Sequence, residues 1–179
     1  MIYIIQDGIT MKMTSAQAAK LLRKLDEQHK ALRHREEQSR TFVAALDEDI
    51  ESIRPAYDYS EMQNELAEIE MKIRKIKHAI NMFNTTTVIP EFGITIDEML
   101  VYLPQLNHRE SKLARMKAEL PKTREGGGYR SGSAVIDYRL ANYDIKQAEA
   151  DYNAVSDELA KAQTALDVVN NTIELDIEL

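Results

Sequence analysis

Met62-Gln-Asn-Glu-Leu66-Ala-Glu-Ile69-Glu-Met-Lys-Ile73-Arg-Lys-Ile76-Lys-His-Ala-Ile80-Asn-Met-Phe83 is the stretch whose reading decides the fold. Met62, Leu66, Ile69, Ile73, Ile76, Ile80 and Phe83 recur in steps of four and three. A strand sends successive side chains to opposite faces, whereas this spacing keeps all of them on one stripe of an α-helix. A stripe repeating every seven residues is the seam along which helices pack as a coiled coil. A helix over 60–83 is expected, capped by Asp58 or Ser60.

Upstream, Thr14 or Ser15 caps a first helix. Ala18, Leu22, Leu25, Leu32, Val43, Leu46, Ile50 and Ile53 give a second seam, with His29, Glu36 and Ser39 in its gaps. The spacing predicts a helix over 15–53, ended by Pro55, which has no amide proton and restricts Arg54. The short connection Pro55-Ala-Tyr-Asp-Tyr59 makes the two helices an antiparallel hairpin.

Downstream, residues 84–93 read as a loop. Thr95-Ile-Asp-Glu98 is a capping box that opens a third helix over 96–120, through Met99, Leu103, Leu106, Leu113 and Met116. Pro104 should kink or split it, and Pro121 closes it. Residues 121–133, with Gly126-Gly-Gly128 and Ser131-Gly-Ser133, read as a flexible or hairpin-like loop, and Val135-Ile-Asp-Tyr138 as a short strand. A fourth helix over 140–170 carries Ile145, Ala148, Tyr152, Val155, Leu159, Ala162, Leu166 and Val169.

Both ends change period. Ile173, Leu175, Ile177 and Leu179 alternate with acids, the pattern of a half-buried strand over 172–179. Residues 1–13 read as a β-hairpin turning at Asp7-Gly8. The alternative is a leader ahead of a start at Met11 or Met13. The N-terminal hairpin is the obvious partner for the terminal strand, within the chain or from a neighbour. The fold class is thus mainly α: an antiparallel long-helix coiled-coil bundle of about four helices with short terminal strands.

Composition narrows the function. With no Cys there are no disulfides, thiolate metal sites or cysteine nucleophiles. A net charge of −7 argues against general nucleic-acid binding, which needs a positive surface. Met1-Ile-Tyr-Ile-Ile5 is too short and lacks the basic start of a signal peptide. No window reaches the ~20 apolar residues of a membrane span, so a cytoplasmic protein is expected.

Asp26-x-x-His29, with Glu36 one heptad on, is a partial match to a di-iron bundle. That site requires paired Glu-x-x-His motifs and two further glutamates. The plainer reading is that polar seam residues set register. Glu125-Gly-Gly-Gly-Tyr-Arg-Ser-Gly-Ser133 lacks the Lys-Ser/Thr ending of a phosphate-binding loop. No catalytic set, cofactor site or metal site is expected.

Charge is more informative. Residues 47–70 carry nine acids, among them Asp47, Glu48, Asp49 and Glu51, against Arg54. Lys72, Arg74, Lys75 and Lys77 reverse the sign, and residues 108–130 add Arg109, Lys112, Arg115, Lys117, Lys122, Arg124 and Arg130 against three glutamates, with Tyr129 a further candidate contact. One reading is a solvated rod whose basic helix ends answer the helix dipole. The other is recognition of an acidic tip by a basic base between subunits.

Ile76-Lys-His-Ala-Ile80-Asn81-Met-Phe-Asn84-Thr-Thr-Thr87 and Gly93-Ile-Thr95-Ile-Asp-Glu98-Met-Leu100 are followed by Val135-Ile-Asp137, Leu166-Asp167 and Glu178-Leu179. In this order the chain resembles a family of small bacterial helical proteins labelled septicolysin and otherwise of unknown function. The likeness covers most of 14–179; the family's usual Asn-Trp near the end is replaced by Glu174-Leu175. The resemblance implies a membrane-active, toxin-like protein. Yet pore formation needs an apolar span or a barrel wall, and the helices here carry narrow seams on an acidic chain. Asn81, Asn84, Thr87, Thr95 and Glu98 are read as structural, with Asn84 turning the chain out of the second helix. The leading expectation is a non-enzymatic, self-associating structural or interaction protein. Homo-oligomers, or another protein, are the expected partners rather than membranes or nucleic acid. A toxin-like protein, a metal-dependent enzyme around His29, and binding of nucleic acid or an acidic partner through 108–130 are the alternatives.

Overall fold

The computed structural model describes residues 2–5, 8–124 and 137–179, and for the strand residues before Thr10 the backbone alone. In chain order the elements are β1 (Ile2–Ile5), β2 (Gly8–Thr14), α1 (Ser15–Ser39), α2 (Ile50–Ile53), α3 (Tyr59–Thr86), β3 (Val88–Ile89), β4 (Ile94–Thr95), α4 (Ile96–Ala118), β5 (Lys122–Arg124), β6 (Tyr138–Leu140), α5 (Ile145–Thr172) and β7 (Glu174–Glu178). The protein is mainly helical with short antiparallel strands. It divides into two units: residues 1–87 with 168–179, and residues 88–167.

In the first unit, β2 pairs antiparallel with β1 on one side and β7 on the other. Met13 stands opposite Leu175 and Met11 opposite Ile177. Leu175 and Ile177 are buried while Glu174, Asp176 and Glu178 face water, so β7 follows the period-two rule. Thr14 ends β2 and caps α1, trading hydrogen bonds with Gln17 in a capping box.

α1 and α3 pack antiparallel: His29 meets Glu70, Arg35 meets Glu65, and Glu36 meets Gln63. The α3 stripe is covered, with Met62, Leu66, Ile76 and Phe83 buried and Ile69, Ile73 and Ile80 partly so. The same register puts residue 40 level with the start of α3. There α1 ends, at Ser39, and not at 53 as the heptad spacing suggests. Beyond it α3 no longer stands level to cover a stripe, and a helix in water without a packed face is marginal. Ala45 to Glu48 form a turn, α2 is a single turn capped by Asp49, and Arg54 before Pro55 is extended. Val43 is 94% exposed and Leu46 fully so; Ile50, Ile53 and Phe42 are also exposed.

In the second unit, α3 having run on to Thr86, the segment expected as a loop holds the small β3–β4 hairpin. Gly93 closes its turn at a φ of 66°, donating to the Ile89 carbonyl. Thr95 and Glu98 form the capping box of α4. α4 is not split at Pro104: the helix is continuous through it, with Pro104 and Leu100 both on the exposed side. There the carbonyl that loses its amide partner is open to water. Ile96, Met99, Leu106 and Leu113 are its buried stripe, and Ala148, Val155, Leu159, Ala162 and Leu166 that of α5. Tyr102 bonded to Glu158 and Tyr143 to the Met116 carbonyl fix the antiparallel sense of this pair. The segment expected as a flexible or hairpin-like loop from 121 opens with β5, which pairs with β6 at Tyr138–Leu140; residues 125–136, and with them the first half of the strand expected at 135–138, lie outside the described residues.

Candidate functional site

A groove of about 540 Å³ runs along the α1–α3 seam of the first unit. α1 contributes Asp26 and His29, and α3 contributes Glu70, Arg74, Lys77 and Asn81. Spacings of three and four residues bring each set to one helix face. His29 Nε2 lies 3.1 Å from a Glu70 carboxylate oxygen, with the imidazole only 22% exposed. The polar seam residues thus find partners across the hairpin. Glu36 accepts from Gln63 at 2.7 Å and from the Tyr57 hydroxyl at 3.3 Å. Burial, then the Glu36 charge, raises the Tyr57 phenol above its ordinary pKa. Among the described residues no three His, Cys, Asp or Glu side chains gather as metal ligands would.

The basic run on α3 is divided: Arg74 and Lys77 line the groove, while Lys72 and Lys75 project elsewhere. The nine acids do not make one tip either. Glu65 pairs with Arg35 at 2.5 Å, Glu70 faces His29, and Glu51 pairs with Arg54 at 2.7 Å. Asp47, Glu48 and Asp49 remain outside any ion pair among the described residues. Glu48 accepts from the Ala45 amide at 2.8 Å and Asp49 from the Glu51 amide at 3.2 Å.

Asn84 does not turn the chain. It lies inside α3, ahead of the C-cap Thr87, whose amide donates to Phe83 O at 2.9 Å. The Thr85 and Thr86 hydroxyls close the last turn by donating to the carbonyls of Asn81 and Met82. Thr95 and Glu98 bond reciprocally, at 2.7 and 3.2 Å. The Thr95 backbone amide, then its hydroxyl, holds the Glu98 carboxyl below its ordinary pKa.

The second unit holds further clefts, among them two lined by large exposed apolar side chains. One, of about 580 Å³, has Phe92, Ile94 and Val101 beside Tyr102 and Glu158. Tyr102 donates to Glu158 at 2.5 Å, and that bond, more than burial, raises the phenol pKa. This pair went unread in the sequence. Each residue neighbours a seam position, Leu103 and Leu159, but no short turn fixes the register between their helices.

The other cleft, of about 450 Å³, lies between the end of α4 and the β5–β6 hairpin. Lys112, Arg115 and Arg139 give it positive charge, and Leu120, Leu140 and Tyr143 an apolar lining. Leu120 and Leu140 are each 63% exposed. Close by, the Lys122 ammonium sits 3.9 Å from the Tyr138 ring centroid. Arg124 is exposed at the end of β5, opposite Tyr138; Tyr129 and Arg130 lie outside the described residues.

These elements define a class no finer than a mainly helical protein with antiparallel helix pairs and small sheets. No protein-family model matches the chain, and comparison with curated proteins gives no match. Among solved structures it is similar to a functionally unknown conserved protein from Corynebacterium diphtheriae, with a TM-score of 0.56 and 18% identity. The match covers 92% of this chain and 99% of that one. The likeness is one of fold.

Proposed function

We propose that the protein is a non-enzymatic structural or interaction protein that self-associates, built as a coiled-coil bundle of about four main helices. The observation that carries this reading is the exposed apolar set Phe42, Val43, Leu46, Ile50 and Ile53, clustered in one short segment beside Asp47, Glu48 and Asp49. Large apolar side chains scattered singly need no explanation, but a contiguous set rimmed by charge marks a protein interface. The polar pairs along the α1–α3 groove serve as register devices rather than catalysts in this reading. The cytoplasm is the compartment we assign.

Light scattering over a concentration series tests the proposal. A mass that exceeds the monomer and grows with concentration is expected; a strict monomer at the highest concentration contradicts it. The resemblance to the septicolysin-labelled family supplies a second reading, a membrane-active protein. Among the described residues no helix is long and apolar enough to cross a membrane. Leakage from liposomes at neutral and acidic pH decides that reading, and no release is the outcome we expect.

A further inference from the structure

We infer that the acidic apolar segment 42–53 docks into the basic apolar cleft between α4 and the β5–β6 hairpin of a second copy of this chain. This inference rests on the self-association proposed above and names the two surfaces that meet.

The segment brings apolar surface and negative charge together. Its apolar side chains are exposed, and three carboxylates carry no neutralising cation. The flanking cations are already engaged. Arg40 pairs with Glu37 at 2.6 Å; Arg54 pairs with Glu51 at 2.7 Å and lies 5.6 Å from the Phe42 ring centroid. Asp47, Glu48 and Asp49 therefore present net negative charge beside Val43, Leu46 and Ile50. The heptad spacing of α1 continues through these positions after the helix has stopped. The segment thus exposes its apolar side chains with nothing in its own hairpin level to cover them.

The cleft is the complement. It is apolar at Leu120, Leu140 and Tyr143, and its rim is cationic at Lys112 and Arg115, with Glu119 the one acid in its lining. Lys112 and Arg115 make no ion pair among the described residues. Opposite charge around facing apolar centres steers encounter and fixes register, while apolar burial supplies the affinity. A nucleic acid would satisfy the cations of the cleft but would leave the acidic segment without a role. A second copy satisfies both surfaces.

The test uses the full chain. Asp47→Lys with Glu48→Lys makes one variant, and Lys112→Glu with Arg115→Glu makes the other. Each alone should raise the dissociation constant of self-association by about tenfold or more, and an equimolar mixture of the two should restore it. Because the chain has no cysteine, Leu46→Cys and Leu140→Cys chains can be mixed and joined with a short bismaleimide. A crosslinked dimer containing one of each is expected. Leu46 is fully exposed, so its replacement cannot disturb the fold, and circular dichroism checks the charge variants. An assembly indifferent to both charge variants, with no crosslink, overturns this inference and leaves the self-association reading standing. A monomeric wild-type chain overturns both. A crosslink that forms only when both cysteines sit on one chain overturns the second copy as occupant.

Discussion

At the scale of single residues, the two capping boxes make a controlled pair. α1 begins on Thr14 and Gln17, and α4 on Thr95 and Glu98. The geometry is the same, but only the second titrates. Glu98 has its pKa depressed in the folded chain, so the unfolded chain binds its proton more readily and stability falls on acidification. The contribution of Glu98 is complete above the unfolded carboxylate pKa, about 4.3, and is lost as pH drops through the lower folded value. Glu98→Gln keeps the box and should flatten the acid limb of a melting temperature against pH profile below about pH 4. Gln17→Glu should add an acid limb that the wild type lacks at α1. Tyr102 has the opposite sign: its raised pKa keeps its stabilising contribution whole below about pH 10, and it is lost as pH climbs through the folded value. Tyr102→Phe should cost about 1 kcal/mol in urea denaturation at neutral pH and remove one late-titrating phenol from the ultraviolet absorbance titration.

At the scale of elements, α1 and α3 separate periodicity from burial. Ile76 is wholly buried, and Ile76→Ala should destabilise by about 2–5 kcal/mol. Leu46 falls on an equally regular spacing yet is exposed, and Leu46→Ser should change chemical stability by no more than about 0.5 kcal/mol. Parallel urea titrations at low protein concentration measure both. The contrast explains how much could be read from residues alone. The α3 seam was legible over its full length because its spacing is unbroken and its partner runs beside it. The continuation past Ser39 was misread because spacing belongs to one chain segment, whereas a helix needs something level with it to pack against. The β7 alternation and the Thr95 box were equally legible, being local. β5 and β6 were hard to place, since Lys-Thr-Arg is polar throughout and Tyr-Arg-Leu is only three residues long, and both strands are exposed on either face. The α1–α3 groove was legible only in pieces: Asp26, His29 and the basic run stood out, but their meeting depends on register between positions over forty residues apart.

At the scale of the whole molecule, opposite charge contributes to the inferred contact, so raising ionic strength from low to physiological should weaken that contact measurably by sedimentation. The other molecular feature with reach is that β2 and β7 are neighbours in one sheet although α1, α3, α4 and α5 lie between them in sequence. On a ribosome, residues 88–167 emerge complete while the first unit still waits for its last strand. The later-made unit can therefore acquire its structure first, and Met13 stays without its cross-strand partner Leu175 until β7 is made. Pulsed hydrogen exchange during refolding should find α4 amides protected ahead of those in β2, because joining distant segments is slow. During synthesis the half-built sheet is the vulnerable moment of this protein's life, when a chaperone or a neighbouring nascent chain competes for the open side of β2.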